Sequence, residues 1–145
     1  MLISGSWHRC DDEVYRPVIV AEVETHDGAW IKTPFLIDTG ADRTVLSADI
    51  VTALNLPSTV AQDQLGGIGG VVHTILVETR LRLSRETGGK VMLRGQYAAV
   101  MAAEMLDMSV FGRDITNLFA TIVDWPQQSV VLIGQRHRYT IVQQP

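Results

Sequence analysis

The sequence has few of the residues that several common kinds of site require. It contains one cysteine, Cys10, which excludes a disulfide framework within the chain and a cysteine-rich zinc site. Its four histidines are scattered without the spacing of metal ligands. Twelve basic and sixteen acidic residues give a formal charge of −4, with no dense basic stripe that could neutralise phosphates. We therefore expect no metal, no cofactor and no nucleic-acid partner.

Long hydrophobic runs are also absent. The longest apolar stretch, Tyr97 to Ala103, is far shorter than the roughly 20 residues that a membrane-spanning helix needs. The first residues lack the charged and apolar regions of a secretory signal. We therefore expect a soluble, cytoplasmic protein without a membrane partner. The length of 145 residues and the hydrophobic fraction of 46% suit one globular domain.

The patterns that are present indicate strands more often than helices. Alternating apolar and polar residues, separated by turn residues, predict three hairpins: Pro17 to Glu24 with Trp30 to Ile37, Val71 to Leu83 with Val91 to Val100, and Thr121 to Trp125 with Ser129 to Ile133. Two short helices are predicted, one from Ser47 to Leu54 and one from Asp114 to Leu118. The fold class expected is all-β with one or two short helices. The predicted domain covers residues 14–134, between an N-terminal arm (1–13) and a C-terminal tail (135–145).

One acidic motif stands out from the strands and turns. The apolar run Phe35-Leu36-Ile37 leads directly into Asp38-Thr39-Gly40, and the string continues to Leu46. A carboxylate at the end of a buried strand is costly unless it is hydrogen-bonded, and Thr39 and Gly40 suit a tight turn beneath it. A bare Asp-Thr-Gly is typical of an ordinary turn, so the chemistry depends on the longer string.

Two further motifs follow in the chain. Leu65-Gly66-Gly67-Ile68-Gly69-Gly70 lies between strand-like stretches, and by itself it indicates a flexible hairpin tip with one apolar residue at its point. Ser109 to Asp114 is a second apolar strand that leads into glycine, and by itself it indicates a strand followed by a short helix. Because it echoes Leu36 to Gly40 without the acid, it suggests a pseudo-twofold within the domain.

Taken in order, these three motifs resemble those of the retropepsins, the retroviral-type aspartic proteases, over about Pro17 to Gly134. The resemblance implies a closed β-barrel or sandwich, equivalent to half of a pepsin-like bilobal enzyme. It also implies a homodimeric endopeptidase that acts on polypeptides. Longer segments than a minimal viral enzyme needs, including the tail after Asp124, favour a cellular, bacterial member. In this family the chain termini form much of the dimer sheet, so residues 135–145 are candidates for the interface.

The resemblance also implies roles for individual residues. Asp38 is the expected catalytic aspartate, Thr39 interlocks with its twin at the dimer axis, and Arg113 pairs with Asp42. The other expected site residues are Gly40 and Asp42 on the substrate backbone, Ala41, Val45, Leu65 and Val110 lining side-chain pockets, Arg43 making the neighbouring pocket more basic, and Gly66, Gly67, Ile68, Gly69 and Gly70 as a flap closing over the substrate.

The chain contains one Asp-Thr-Gly and no second copy of that motif. Two carboxylates are needed if one is to deprotonate water while the other protonates the substrate. A single chain then holds half of an active site, which is why a homodimer is expected. The alternative is a catalytically silent or autoinhibited peptide-binding module with the same fold. In the autoinhibited form, Met1 to Asp12 would occlude the cleft or be trimmed.

Overall fold

The fold is seen in a computed structural model, which describes residues 1–67, 70–102 and 106–134. For residues 58–67 and 70–73 it describes the backbone alone. The strands are β1 (Leu2–Ser4), β2 (Ser6–Arg9), β3 (Tyr15–Glu24), β4 (Trp30–Ile37), β5 (Val45–Leu46), β6 (Ser58–Gly67), β7 (Gly70–Ser84), β8 (Lys90–Ala99), β9 (Ser109–Phe111), β10 (Ala120–Asp124) and β11 (Ser129–Ile133). The helices are α1 (Ala48–Leu54) and α2 (Arg113–Thr116). The expected all-β class with two short helices is confirmed.

The strands form two sheets. The larger has the order β2-β3-β4-β9-β5-β8-β7-β6, and β3 also pairs with β7 through Glu22 with Arg82 and Val23 with Leu81. That extra pairing brings the large sheet back onto itself, so its inner face encloses a core. The smaller sheet has the order β1-β11-β10. Most neighbours are antiparallel, but β9 runs parallel to β4, with Leu36 opposite Val110.

The three predicted hairpins are all present. The β3–β4 turn contains Gly28 at φ +84°, and the β7–β8 turn contains Gly88 and Gly89 at φ +92° and +80°. These left-handed values favour glycine, which carries no Cβ to clash. In the β10–β11 turn a non-glycine residue, Gln128, adopts the left-handed region at φ 52°.

The core is lined by residues of both sheets, and alternation along strands such as β4 supplies inward-facing side chains. On β4, Phe35 and Ile37 are buried while Leu36 between them is half-buried. Phe35 stacks on Phe111 of β9, with ring centroids 4.0 Å apart and planes 7° apart. Because each strand leads directly into one of the acidic or glycine motifs, this stack fixes the two motifs relative to each other.

The two helices lie close to their predicted positions. Helix α1 follows Ser47, as expected, but the Ser47 hydroxyl donates to Asp49 and contacts Ser109 Oγ instead of capping a helix N–H. The helix ends where Asn55 turns left-handed at φ 51°, two residues before Pro57. Helix α2 begins one residue earlier than expected, at Arg113, because Gly112 occupies the N-cap position.

The N-terminal residues contribute strands to both sheets. Strand β1 pairs with β11, and its central residue Ile3 is buried in the core. Strand β2 pairs with β3, and Trp7 on β2 packs edge-to-face on Trp125 with ring centroids 4.8 Å apart. Residues 1–13, predicted as an arm, are therefore hydrogen-bonded to the body of the protein over β1 and β2. The predicted tail, 135–145, lies outside the described residues.

Across the three stretches of chain that the structure describes, no helix has both the length and the apolar character needed to cross a membrane.

Candidate active site

Asp38 lies at the end of β4, where the chain leaves the core. Its backbone N–H donates to the Phe111 carbonyl at 3.1 Å, and its Oδ1 accepts the Gly40 N–H at 2.9 Å. The side chain is half-buried, while Thr39 and Gly40 are exposed. A Cβ on Gly40 would lie 3.1 Å from Asp38 Oδ1, so the glycine is explained by this close approach. One carboxylate oxygen is thus held by the backbone at an open face of the molecule.

Arg113 clasps the loop that follows Asp38. Its Nη1 donates to the Thr39 carbonyl at 2.8 Å and its Nη2 pairs with the Asp42 carboxylate. The backbone N–H of Arg113 donates to the Ala41 carbonyl at 2.8 Å. The ion pair is exposed, and such pairs contribute about 1 kcal/mol or less to stability. Its consequence is therefore geometric, since three bonds from one residue hold the loop in a single conformation.

The two motif-bearing loops touch through their backbones at Gly112. A Cβ there would lie 2.4 Å from both the carbonyl carbon and the carbonyl oxygen of Arg43. The Gly112 N–H donates to Thr44 Oγ1 at 3.2 Å. The similarity in sequence between the two motifs corresponds to the parallel pairing of β4 and β9. The loops that follow these two strands therefore leave the sheet at the same end, where they pack together.

Thr44 and Asp114 form a second tie beneath the loop. Asp114 Oδ1 accepts both the Thr44 N–H at 2.9 Å and the Thr44 hydroxyl at 2.7 Å. The Asp114 N–H in turn donates to the Asp42 carbonyl at 3.3 Å. Thr44 is fully buried. The segment from Asp38 to Thr44 is therefore bonded at both ends and in the middle.

The residues expected to line side-chain pockets lie in different environments. Val45 and Val110 are buried and lie opposite each other in the β5–β9 pairing, whereas Ala41 is half-buried and Arg43 is exposed. Val110 also contributes to a cavity of about 260 Å³. Its other lining residues are Cys10, Arg16, Leu36, Leu106, Asp107 and Met108.

That cavity adjoins a second one of about 590 Å³, which shares Cys10 and the segment Leu106 to Met108. The larger cavity is also lined by Asp12, and Arg16 donates two hydrogen bonds to the Asp12 carboxylate, at 2.9 and 2.6 Å. These bonds, followed by a backbone N–H from Val14, lower the pKa of Asp12 to about 2. The smaller cavity therefore has a mixed lining, in which Leu36, Leu106 and Met108 are apolar and Arg16 and Asp107 are charged.

The expected flap is a β-hairpin whose tip is partly outside the described residues. Strand β6 pairs with β7 through Leu65 with Val72, Gly66 with Val71 and Gly67 with Gly70. Ile68 and Gly69, the expected tip, lie outside the described residues. The register of the pairs on either side leaves two residues between Gly67 and Gly70, so the hairpin turns at the glycine-rich motif.

Comparison with known proteins gives the family. The sequence matches the family described as aspartyl protease over residues 21–136, which is most of the chain. This chain belongs to the aspartyl protease family. A comparison with curated protein sequences finds no significant match.

Two solved structures of other proteins are similar to this chain in fold. A retropepsin-like aspartic protease from Rickettsia conorii is similar at a TM-score of 0.59 and 17% identity, covering 91% of this chain and 88% of that one. The EIAV protease, solved with an inhibitor, is similar at a TM-score of 0.52 and 22% identity, covering 70% of this chain and 86% of that one. The fold is therefore retropepsin-like, as the sequence motifs indicated.

Sequence reasoning did not identify every residue that shapes the site of this aspartyl protease. Leu36 and Leu106 line the smaller cavity, and the only available signal was that Leu36 precedes the acidic motif on an alternating strand. Asp114 lies near the N-terminus of α2, as expected, and its carboxylate also bonds to Thr44, 70 residues earlier in the chain. A contact of that separation leaves no local pattern in a sequence.

Among the residues described, no group of three or more His, Cys, Asp or Glu side chains is arranged to hold a metal ion.

Proposed function

We propose that this chain is a homodimeric aspartic endopeptidase in which Asp38 from each of two copies forms the catalytic pair. The observation that supports the proposal best is the way in which the Asp38 carboxylate is held at an exposed face. One carboxylate oxygen is held by the Gly40 N–H, and its loop is clasped by Arg113 at an exposed face. Since the sequence contains one Asp-Thr-Gly, a second copy must supply the second carboxylate.

Peptide hydrolysis by such a pair needs one carboxylate and one carboxylic acid. Two carboxyl groups in contact share one proton, because like charges at that distance are not both stable. The ionised group takes a proton from water as the water oxygen bonds to the peptide carbonyl carbon. The protonated group donates its proton to the carbonyl oxygen. The C–N bond then breaks as the group that took the water proton gives it to the leaving nitrogen. A hydroxyl proton of the diol returns to the other carboxylate, which leaves a carboxylic acid product and restores the shared proton.

The neighbouring residues have supporting roles in this proposal. In the dimer, Thr39, which is exposed, contacts Thr39 of the second copy across the dimer axis. Gly40 and Asp42 bind the substrate backbone. The glycine-rich hairpin, Gly66 to Gly70, closes over the substrate as a flap and excludes water from the reacting groups. The antiparallel pairing of β6 with β7 as far as Gly67 and Gly70 supports this role, because a flap of this kind is a β-hairpin.

In this proposal the pockets take apolar or mixed substrate side chains. Val110 lines the 260 Å³ cavity together with Leu36, Leu106 and Met108. Leu36 lies two residues before Asp38 on the same strand, which brings the cavity next to the proposed reacting carboxylate. Ala41, Val45 and Leu65 are further candidates for pocket lining. Arg43, exposed on the loop, favours an acidic substrate side chain beside the cleaved bond.

The proposal is tested by replacing Asp38 with asparagine and assaying cleavage of a peptide library by mass spectrometry. Asp38→Asn keeps the size and the bond from Gly40 but removes the charge, so we expect kcat to fall by about 10³-fold or more. Asp27→Asn, at the opposite end of β4, is the matched control and should retain wild-type activity.

Two results would contradict the proposal. One is an Asp38→Asn variant that cleaves peptides as fast as wild type. The other is a wild-type protein that binds the peptides but cleaves none, which would support the catalytically silent peptide-binding module.

A further inference from the structure

We propose that Asp114 is a positioning residue for Asp38. Through Thr44, it holds the loop that places the reacting carboxylate. This inference rests on the proposed function, because the position of Asp38 affects a rate only if Asp38 acts in catalysis. It concerns a residue that belongs neither to the Asp-Thr-Gly motif nor to the Arg113–Asp42 pair.

The contacts of Asp114 differ from those of a residue that only begins a helix. It is the second residue of the four-residue helix α2, yet its Oδ1 accepts two bonds from Thr44, one from the backbone and one from the hydroxyl. The Thr44 hydroxyl accepts a third bond, from the Gly112 N–H. Thr44 is fully buried whereas Asp114 is exposed, so a carboxylate at the surface holds two donor groups of a buried residue.

Several anchors of the proposed catalytic loop lie on one short segment, residues 111–114. The Asp38 N–H bonds to Phe111, Ala41 and Asp42 accept bonds from the backbone of residues 113 and 114, and Thr44 bonds to Asp114. The Arg113 side chain holds the exposed side of the loop, and its ion pair with Asp42 is open to solvent. Asp114, itself exposed, holds the side of the loop on which Thr44 is buried. Because Thr44 is buried, removal of Asp114 leaves two buried donors without this acceptor.

Loss of the Asp114–Thr44 bonds should lower the rate of the chemical step more than it lowers the affinity for substrate. Asp38 must meet Asp38 of a second copy closely enough to share a proton, and a misplacement of about 1 Å can cost about 10²-fold in rate. Substrate affinity depends mainly on the pockets and the flap, which Asp114 does not contact in the described residues. The expected signature is a lowered kcat with a nearly constant KM.

The activity experiment compares two Asp114 variants with a matched control. Asp114→Ala should lower kcat by about 10- to 100-fold with KM changed less than about threefold. Asp114→Asn keeps an oxygen that accepts both Thr44 bonds, so it should retain kcat within about threefold. Asp27→Ala is the control, because Asp27 also accepts a threonine hydroxyl and a backbone N–H, from Thr25 and Ala29 in the β3–β4 turn. Rates are divided by the concentration of active dimer, titrated with a tight-binding inhibitor.

A second measurement does not depend on proteolysis. Amide hydrogen exchange should become faster at Gly40, Ala41 and Thr44 in Asp114→Ala, and remain at wild-type rates in Asp27→Ala. If wild type has no proteolytic activity while the exchange rates change as expected, the proposed function is contradicted. The role of the Asp114–Thr44 bonds in holding the loop is then still supported. If Asp114→Ala does not fold, Thr44→Val removes the hydroxyl, and with it both the bond to Asp114 and the bond from the Gly112 N–H. It should speed exchange at the same amides and lower kcat by about fivefold.

The inference would be overturned by either of two results in folded variants. One is Asp114→Ala with wild-type kcat per active dimer, with its loss confined to thermal stability. The other is exchange at Gly40 and Ala41 that stays at wild-type rates in both Asp114→Ala and Thr44→Val.

Discussion

At the scale of single residues, Gly112 is the point where the two loops of the site approach most closely. The backbone of Arg43 occupies the position that a side chain on Gly112 would take, at 2.4 Å, and backbone has no alternative rotamer to adopt. The Thr44 tie and the Arg113 clasp flank this contact on either side. The packing of the loops therefore depends on the absence of one methyl group.

We expect Gly112→Ala to lower the free energy of unfolding by about 2 to 3 kcal/mol, because one of the two loops must move. Urea denaturation at fixed protein concentration measures the loss. Gly88→Ala is the control: Gly88 has open space around its Cβ position but φ +92°, so that variant tests left-handed strain alone, at about 1 kcal/mol. Because Gly112 has φ −88°, none of its loss comes from left-handed strain, and a Gly112→Ala variant as stable as wild type would contradict a cost of the close approach.

The residue scale also shows the limits of sequence patterns. The position of Asp38 at the end of a strand and its Arg113–Asp42 clasp could be anticipated, because short motifs carry them. The Asp114–Thr44 tie could not be anticipated, since neither residue type is unusual at its position. Its chemistry exists only where two distant segments meet.

At the scale of elements, a group of charged residues joins three strands. Glu22 on β3 accepts two bonds from Arg82 on β7, at 2.8 and 3.0 Å, and also pairs with Lys90 on β8. Arg82 lies over the ring of Trp30, with its guanidinium carbon 4.1 Å from the ring centroid. The bonds from Arg82 and then Lys90 lower the pKa of Glu22 from 4.5 to about 2. The group lies at the β3–β7 pairing that closes the large sheet.

This pKa shift predicts how stability depends on pH. Because Glu22 binds a proton less readily in the folded state, its contribution is complete above pH 4.5 and is lost as the pH falls towards 2. Wild type should therefore exceed Glu22→Gln in unfolding free energy by about 1 to 2 kcal/mol at pH 7, with the difference shrinking below pH 4.5. Urea denaturation at a series of pH values measures it.

The control for that series is Glu78→Gln. Glu78 pairs with Arg94 across β7 and β8, but their side chains are 54% and 74% exposed, so the change should be below about 0.5 kcal/mol. A Glu22→Gln difference that stays constant from pH 7 to pH 3 would contradict the assignment of the effect to this carboxylate.

At the element scale the hairpins were predictable and their assembly was not. Alternation and turn glycines place β3 with β4 and β7 with β8. The parallel pairing of β4 with β9 joins residues more than 70 positions apart, and the β3–β7 closure joins residues 60 apart. Period-two patterns state which face of a strand is buried but not which strand lies beside it.

At the scale of the whole molecule, the proposed function requires two chains for one site. The two expected partners of the reaction, a second copy and a polypeptide, would meet at Asp38 on the exposed face of the loop. A dimer in which either chain carries Asn at position 38 should be inactive. Mixing wild-type chains with Asp38→Asn chains therefore distinguishes one site shared between two chains from an independent site in each chain.

We expect Asp38→Asn, added at an equal amount to a fixed amount of wild type, to lower activity to about one half after subunit exchange, because only wild-type pairs are active. A ninefold excess should lower it to about one tenth. The same additions of Asp38→Asn/Gly112→Ala, in which the loops are displaced, serve to test whether inhibition needs a native loop. Activity that is independent of added Asp38→Asn would contradict a site shared between chains.

The sequence alone determined the strand content, the hairpins and the family, because these depend on local periodicity, turn residues and short motifs in order. It also determined that one chain holds one Asp-Thr-Gly, and hence one carboxylate of the proposed pair. Only the tertiary structure decided how that carboxylate is held. The Phe35–Phe111 stack, the Gly112 contact and the Asp114–Thr44 tie each join segments about 70 residues apart. Their cause is the parallel pairing of two strands, and the geometry of such a pairing exists only once the core has formed.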